Sequence, residues 1–461
     1  MNRKIAVAVA GLPVLSLLAG CTVAGNASSE GGSVRVVVGY QSKTINTVTA
    51  GTLLRSLGYF EKRLNELGGA EGKKYSVVWQ DYDTGAPITA QMLAGKIDIG
   101  SMGDYPLLIN GSRAQAQGGD AHTELVSVTG YNLKGALNGV VVAKDSKAAT
   151  LRDLKGTTVS TSVGSAGHGT FVQAAKKYGF DGAKDVKVEN QQPSVGATAL
   201  ESGKVAGLSQ FVAWPGVLVA QGRARLLYDG GDLDVPTFHG VVVRKKFAGD
   251  RPKILQEFLK AQIDATRYLN DNPVKASESV ASTTGLPVEA VYLYNGSGGV
   301  STFDVTLKKQ LQDVLAHDVP FLKSIGVLQT PLDLKPFIND TYIRQAYGSS
   351  YDADVAKTAT PDGGEIWFAG EATTRKFADP VALLRGVRDA QQQGRRIKAV
   401  YVADGTTGTR WFADKDVWVE DPEAVGAERF QAFATDEVAR RYLAGHPGSK
   451  IVSYQDAVKR A

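Results

Sequence analysis

Short apolar runs that alternate between strand-like and helix-like spacing most constrain how this chain of 461 residues can fold. Strand-like runs recur along the first part of the sequence, at residues 34–38, 75–79, 97–100, 125–128, 139–142, 157–160 and 186–189. Helix-like spacing separates them, at residues 51–67, 88–94, 169–178, 195–201 and 252–270. This order predicts an α/β architecture with largely parallel sheets.

The character of the chain changes after residue 347. Residues 305–347 are predicted to be mostly helical, whereas residues 348–363 are small, polar and charged, which is typical of a linker between domains. Residues 364–461 resume the alternation of strand-like and helix-like runs. They are predicted to form a separate, small α+β domain.

Composition excludes several classes of protein. A hydrophobic fraction of 43% is normal for a folded globular chain. The net charge of +5 comes from 52 basic and 47 acidic residues and includes no long basic run, so a nucleic-acid partner is not expected. The single cysteine allows neither an internal disulfide nor a cysteine-rich zinc site.

That single cysteine, Cys21, follows a segment with the pattern of a secretory signal peptide. Arg3 and Lys4 precede an apolar stretch, residues 5–18, that is too short to span a bilayer comfortably. The ending Leu-Ala-Gly-Cys at residues 18–21 resembles the bacterial lipobox, which implies that Cys21 is lipidated and becomes the new N-terminus. The alternative is an ordinary signal peptide with an incidental cysteine.

This interpretation divides the N-terminal region into a signal peptide and a tether, and it predicts where the mature protein is located. Residues 1–20 would be removed, which lowers the net charge to +3, and residues 21–33 would form a flexible tether. The mature protein is then expected at the cell membrane, held by its lipid on the extracytoplasmic face.

Four loops that follow predicted strands carry the candidate binding chemistry, at residues 39–44, 100–106, 161–170 and 211–215. In open α/β sheets, ligands bind beyond the carboxyl ends of strands, where helix N-termini offer free backbone N–H groups. The loops supply Gly, Ser, Thr and aromatic residues, which suits capture of a small anionic solute. The alternative is that the Gly/Ser turns only cap helices and that Trp214 is a core aromatic.

The order of these loops resembles a known family over residues 34–347. The segments that carry the resemblance are GYQ (39–41), GTLLRSLGYFEKRLNELG (51–68), MLAGKIDIGSMGDYPLL (92–108), VVVAKDS (140–146), LRDLKGTTVSTSVGSAGHG (151–169) and ALESGKVAG (199–207). The family is that of the substrate-binding proteins of ABC importers of the sulfonate/nitrate/taurine type. The resemblance implies capture of a small oxyanion and delivery to an ABC permease by a monomer without a cofactor.

The same resemblance implies a type II periplasmic-binding-protein-like fold, in which two lobes joined by hinge crossovers close on the ligand. The second lobe would take residues 138–232, approximately. The expected ligand-binding residues are Gln41, Ser42, Gly103, Asp104, Tyr131, Ser165, His168 and Trp214. Gln41 would donate to a ligand oxygen, Gly103 and Ser165 would present backbone N–H groups, and Trp214 would cover the apolar part.

Histidine and lysine side chains near these loops have two interpretations. His168 either contacts the anion or acts as a structural donor at a helix N-terminus, and Lys43 either clamps the ligand or is solvated. His122, His239 and His317 lack the spacing of a metal site and are interpreted as structural.

Catalysis is not expected from this sequence. Some relatives of this fold make a pyrimidine from their own active-site histidine, but that requires the cytoplasm, which the lipobox-like segment contradicts. The sequence also lacks a cysteine nucleophile, an HExxH motif and a GxSxG elbow.

The C-terminal region resembles a second family, the NosL-like accessory lipoproteins, over residues 365–384, 398–419 and 430–458. Relatives of that type carry copper on Met and Cys side chains. No Met or Cys of this chain lies beyond residue 102, so no metal is expected here. A spacer or protein-interaction role is preferred, and the alternative function is an accessory lipoprotein with a metal or assembly role that works through this domain.

Overall fold

The structure is a computed structural model that describes residues 32–357 and 363–461. The predicted signal peptide and Cys21 lie outside the described residues, as do residues 358–362 of the predicted linker. Within the described ranges, no helix combines the length and the apolar character that a membrane span requires. The same ranges contain no group of three or more His, Cys, Asp or Glu side chains suited to a metal ion.

Strands and helices alternate through residues 32–357. The strands are β1 (Ser33–Tyr40), β2 (Lys74–Asp81), β3 (Ile99–Gly103), β4 (Thr123–Asn132), β5 (Asn138–Ala143), β6 (Thr158–Thr161), β7 (Lys187–Asn190), β8 (Gly207–Phe211), β9 (Ala224–Asp229), β10 (Thr237–Arg244) and β11 (Thr302–Phe303). The α-helices are α1 (Thr52–Leu57), α2 (Tyr59–Glu71), α3 (Gly85–Leu93), α4 (Asp104–Gln117), α5 (Ala166–Lys177), α6 (Pro193–Glu201), α7 (Trp214–Ala220), α8 (Lys245–Asp250), α9 (Pro252–Asp271), α10 (Pro273–Thr284), α11 (Val288–Asn295), α12 (Lys309–Ser324), α13 (Leu334–Phe337), α14 (Thr341–Tyr347) and α15 (Tyr351–Val355).

Two sheets define the two lobes of this part of the chain. The first has the strand order β11-β4-β10-β3-β1-β2, and the second has the order β7-β6-β8-β5-β9. The chain leaves the first sheet through β4, enters the second through β5, and returns from β9 to β10. Two crossover segments therefore join the lobes.

Both sheets are mixed, so the expectation of largely parallel sheets is wrong. The parallel pairs are β1 with β2 and β3, and β6 with β7 and β8. The strands that carry the chain between lobes are antiparallel to each other, β4 to β10 and β5 to β9. In each pair, one strand leads the chain out of its lobe into one crossover and the other receives the chain from the second crossover, so the two strands run in opposite directions.

The periodic segments fold largely as predicted. In α9, Ile254, Leu255, Phe258 and Leu259 are buried on one face, as helical spacing requires. Burial of one such side chain stabilises the fold by about 1.5–3 kcal/mol. The helix predicted at residues 51–67 is instead divided into α1 and α2 by Gly58, whose φ of 64° ends the first helix in the left-handed region.

Residues 364–461 form two small antiparallel sheets with three helices. The strands are β12 (Gly364–Phe368), β13 (Arg375–Phe377), β14 (Ile397–Ala403), β15 (Arg410–Phe412), β16 (Val417–Glu420), β17 (Phe430–Phe433) and β18 (Lys450–Val452), and the helices are α16 (Pro380–Gln392), α17 (Asp436–Gly445) and α18 (Tyr454–Arg460). The strand orders are β13-β12-β14-β15 and β17-β16-β18. Side-chain caps from Asp379, Thr435 and Ser453 fix where the helices begin.

A buried polar network attaches this C-terminal unit to α11 and to the loop after it. The Glu365 carboxylate and the Arg410 guanidinium pair at 3.1 Å, with side chains 0% and 3% exposed. The Tyr292 hydroxyl donates to Glu365 at 3.0 Å, and Arg410 donates to the Ser297 carbonyl at 2.6 Å. Trp367 packs on the Tyr292 ring with centroids 5.0 Å apart. The contact therefore combines a buried ion pair with packed aromatic rings.

The C-terminal unit also reaches the second lobe and its crossover. Arg441 forms an ion pair of 2.9 Å with Asp232, just after β9, and Lys134 in the other crossover donates to the Thr407 carbonyl at 2.8 Å. The unit therefore contacts both segments that join the lobes.

Candidate functional site

A cavity of about 280 Å³ lies between the two lobes, at the carboxyl ends of their parallel strands. In the first lobe, Gln41, Thr84 and Gly103 contribute to its wall from the ends of β1, β2 and β3. In the second lobe, Ser162 and Asn190 do so from the ends of β6 and β7. This is the position at which open α/β sheets bind ligands.

Four helices begin in the wall of this cavity. Thr84, Gly103, Ser165 and Gln192 are the N-cap residues of α3, α4, α5 and α6, and all four line it. The first N–H groups of a helix have no acceptor within the helix, and its N-terminus carries a partial positive charge of about half a unit. Two helices from each lobe thus direct backbone donors and positive potential at one space.

The rest of the wall is uncharged. The lining side chains, all within the described ranges, include no Lys, Arg, Asp or Glu. Apolar groups from both lobes, Pro106 and Ile109 on one side and Val163 and Phe211 on the other, form part of the surface. The cavity therefore offers donors for a small anion beside an apolar surface for a short organic tail.

Three of the residues predicted from the sequence lie in this wall. Gln41 is 3% exposed, and its amide donates to the Ser101 carbonyl at 3.2 Å while accepting from Thr44. Gly103 precedes α4, and Ser165 precedes α5, where its hydroxyl accepts from the backbone N–H of His168 at 3.3 Å. Gly103 and Ser165 thus occupy the helix starts at which backbone donors were expected.

The other predicted residues lie outside the wall. Ser42 is held away by Asp81, which accepts from its N–H at 2.8 Å and from its hydroxyl at 2.6 Å. Tyr131 lines a separate cavity of about 520 Å³ that extends to the C-terminal unit. Trp214 begins α7 and packs against the apolar cluster that α7 shares with α11.

His168 lies in the first turn of α5, behind the cavity wall. Its Nδ1 accepts from the Gly164 N–H at 3.5 Å, and the side chain is 6% exposed. Burial lowers its pKa, so the ring is neutral near pH 7. This geometry is that of a structural residue of the loop, one of the two interpretations that the sequence left open.

Asp104 turns away from the cavity toward the second crossover. Its carboxylate accepts from the Thr237 hydroxyl at 2.6 Å and from the N–H groups of Phe238 and Tyr105. It borders a void of about 20 Å³ together with Asp318 of α12. Burial raises the pKa of both carboxyls, and the charge of Asp104 raises that of Asp318 further. Asp104 therefore anchors the crossover.

The lobes touch beside the cavity through α4 and α5. Tyr105 of α4 lies over Gly169 of α5, where a side chain would collide with its ring, and its hydroxyl accepts from Gln173 Nε2 at 2.8 Å. Gly169 is needed because only a residue without a side chain permits this approach of the two helices.

Thr84, Gln192 and His239 are among the wall residues that the sequence reasoning missed. Thr84 and Gln192 follow β2 and β7, so the strand-end rule applied to those strands would have found them. His239, interpreted as structural, lies on β10 opposite Gly103 of β3 and lines the cavity. No local motif marks His239, because it reaches the site only through pairing of these two strands.

Comparisons with known proteins agree with this architecture. The model of the NMT1/THI5 like family matches residues 89–276. A protein of Escherichia coli strain K12 that is named as an aliphatic sulfonates-binding protein is 27% identical over 294 residues, which are 64% of this chain and 83% of that protein. The taurine-binding periplasmic protein of the same organism is 27% identical over 222 residues, 46% of this chain and 65% of its own length.

A solved structure shares the fold. The alkanesulfonate-binding protein of Xanthomonas axonopodis pv. citri, bound to MOPS, superposes with a TM-score of 0.55 at 20% identity. The match covers 66% of this chain and 98% of that structure. Residues 89–276 of the chain are therefore similar to the NMT1/THI5 like family, and the chain shares the two-lobed α/β fold of the alkanesulfonate-binding protein.

Proposed function

We propose that this chain is the extracytoplasmic solute-binding component of an ABC importer, and that it captures a small oxyanion between its lobes and delivers it to the permease. One observation carries the proposal: four helix N-termini from two lobes converge on an uncharged cavity of about 280 Å³. An anion that leaves water needs such oriented donors, and the site supplies them without a cationic side chain.

The chemistry of the wall favours an aliphatic sulfonate over taurine or nitrate within this class. Pro106, Ile109 and Phe211 give a short alkyl chain an apolar surface that nitrate would not use. The ammonium group of taurine would be desolvated in a wall that has no carboxylate. One Escherichia coli relative is named for aliphatic sulfonates, which supports this choice, and the other is named for taurine, which is itself a sulfonate.

Thermal unfolding with added solute tests the function. We expect the chain without residues 1–21 to show a higher Tm with ethanesulfonate, a smaller rise with taurine, and a saturable dependence on concentration. Chloride at the same ionic strength is the control. Failure of ethanesulfonate, taurine, nitrate and bicarbonate alike to raise the Tm would refute the proposal.

The proposal also assigns roles to Cys21 and to the N-terminal segment that follows it. Cys21 is the lipid attachment site that holds the monomeric receptor at the outer face of the membrane, and residues 21–33 are its tether. Cells fed a clickable palmitate should label the wild-type protein and not the Cys21→Ser variant. Equal labelling of both would reject the lipid anchor.

In this proposal, residues 348–363, whose first part forms α15, are the linker to a C-terminal domain that supports the receptor rather than catalyses a reaction. Its contacts with α11 and with both crossovers favour a structural role. The Escherichia coli relatives described above are named as binding proteins, which supports a binding role for the part of the chain that they match. The likeness of this domain to NosL-like lipoproteins stays a prediction.

A further inference from the structure

Asn46, at the start of a 3-10 turn after β1, contacts a histidine in the cavity wall. Its side-chain Nδ2 donates to the Gly130 carbonyl at 2.7 Å and lies 2.8 Å from His239 Nδ1. The carbonyl of Gly130 can only accept, so the amide nitrogen of Asn46 must face it. The reverse orientation would place two oxygens against each other.

This orientation fixes the tautomer of His239. The second hydrogen of Asn46 Nδ2 points at His239 Nδ1, which must therefore be the unprotonated nitrogen. The ring proton of the neutral imidazole then resides on Nε2. Burial lowers the pKa of His239 to about 3, in agreement with a ring that stays neutral.

The Nε2–H group of His239 has no acceptor within the described residues. The side chain is 3% exposed, its ring lines the cavity, and Nε2 is not among the fully enclosed polar atoms. Gly103 keeps this group uncovered, because a Cβ there would lie 3.3 Å from Nε2. The Nε2–H group therefore faces the cavity and is free to donate to an acceptor on a bound ligand.

We propose that His239 is a ligand-binding residue that donates its Nε2–H to an oxygen of the bound oxyanion, in the tautomer that Asn46 imposes. The inference rests on the proposed function, since it assigns a contact within that site. It makes His239 a neutral donor, so its contribution does not depend on protonation between pH 5 and 8. An imidazolium would instead strengthen binding as the pH falls.

Calorimetric titration of the full chain with ethanesulfonate tests the contact. His239→Leu should raise Kd about tenfold to a hundredfold, the loss of one hydrogen bond to a charged group. His239→Gln, which keeps an N–H donor, should recover part of this, and the ratio of its Kd to that of the wild type should stay constant from pH 5 to 8. His122→Leu, which lies outside the cavity wall, is the matched control and should leave Kd unchanged.

Nitrogen-15 NMR of histidine-labelled wild-type protein reports the tautomer of His239 directly, without a binding measurement on a variant. The His239 signal, assigned by its loss in His239→Gln, should show protonated Nε2 and shift on addition of ethanesulfonate. Any one of three results would overturn this inference but leave the proposed function intact. They are protonation of His239 on Nδ1, an Nε2 signal that does not shift when ligand binds, and equal Kd values for His239→Leu and wild type. A wild type that binds no oxyanion would refute the proposed function as well.

Discussion

The close approach of α4 and α5 predicts a variant that weakens ligand binding without weakening either lobe. An ideal Cβ at Gly169 would lie 2.7 Å from both Cζ and Oη of Tyr105, and closer still to Cε2. Carbon atoms in contact prefer about 3.5–4.0 Å, so Gly169→Ala would displace the ring by about 1.5 Å or more, or separate the lobes.

The expected size of this effect follows from packing energetics. Overpacking of a closed interface costs about 1–3 kcal/mol, which corresponds to a rise of Kd of roughly fivefold to 150-fold. The same substitution favours α5 itself, since Ala replaces Gly inside a helix at a gain of about 0.8–1 kcal/mol. We therefore expect weaker binding together with an unchanged or higher Tm for the ligand-free protein.

Isothermal titration with ethanesulfonate and thermal unfolding without ligand form the assay. Gly69→Ala in α2, where a Cβ would meet no atom within 4 Å, is the matched control for helix propensity. In a Tyr105→Ala background, Gly169→Ala should cost little, because the ring that it strikes is gone. If Gly169→Ala binds as tightly as the wild type, the lobe contact seen here is not part of the bound state and the reasoning fails.

Two further predictions concern buried ionisable groups. Arg410→Met should lower the free energy of unfolding by about 3–5 kcal/mol, because it leaves the buried Glu365 carboxylate without its cationic partner. The double variant Arg410→Met with Glu365→Met should regain most of this stability in urea titrations. Equal stability of Arg410→Met and wild type would contradict this. Burial raises the pKa of Asp318, so the folded state holds the proton more tightly, and stability falls as the pH rises above 3.8 toward the raised value. Asp318→Asn should flatten this fall by up to about 1.4 kcal/mol per pH unit, and parallel curves at pH 5 and 8 would reject the assignment.

The candidate site was partly predictable because its geometry follows a local rule. Gln41, Gly103 and Ser165 stand where a strand ends and a loop or helix begins, and that boundary can be read from hydrophobic spacing alone. Trp214 and Tyr131 lie in segments of the same kind. Their side chains nevertheless pack elsewhere, because the position of a residue in a loop does not determine the direction of its side chain.

The sequence by itself determined the α/β alternation, the strand ends that surround the cleft and the change of character near residue 350. These features are local, since each depends on the spacing of apolar residues within one element. Only the tertiary structure decided the mixed strand directions, the contact of α5 with Tyr105, and the place of His239 beside Gly103. Those depend on which distant strands and helices become neighbours, and that choice is made by packing of the whole core rather than by any single segment.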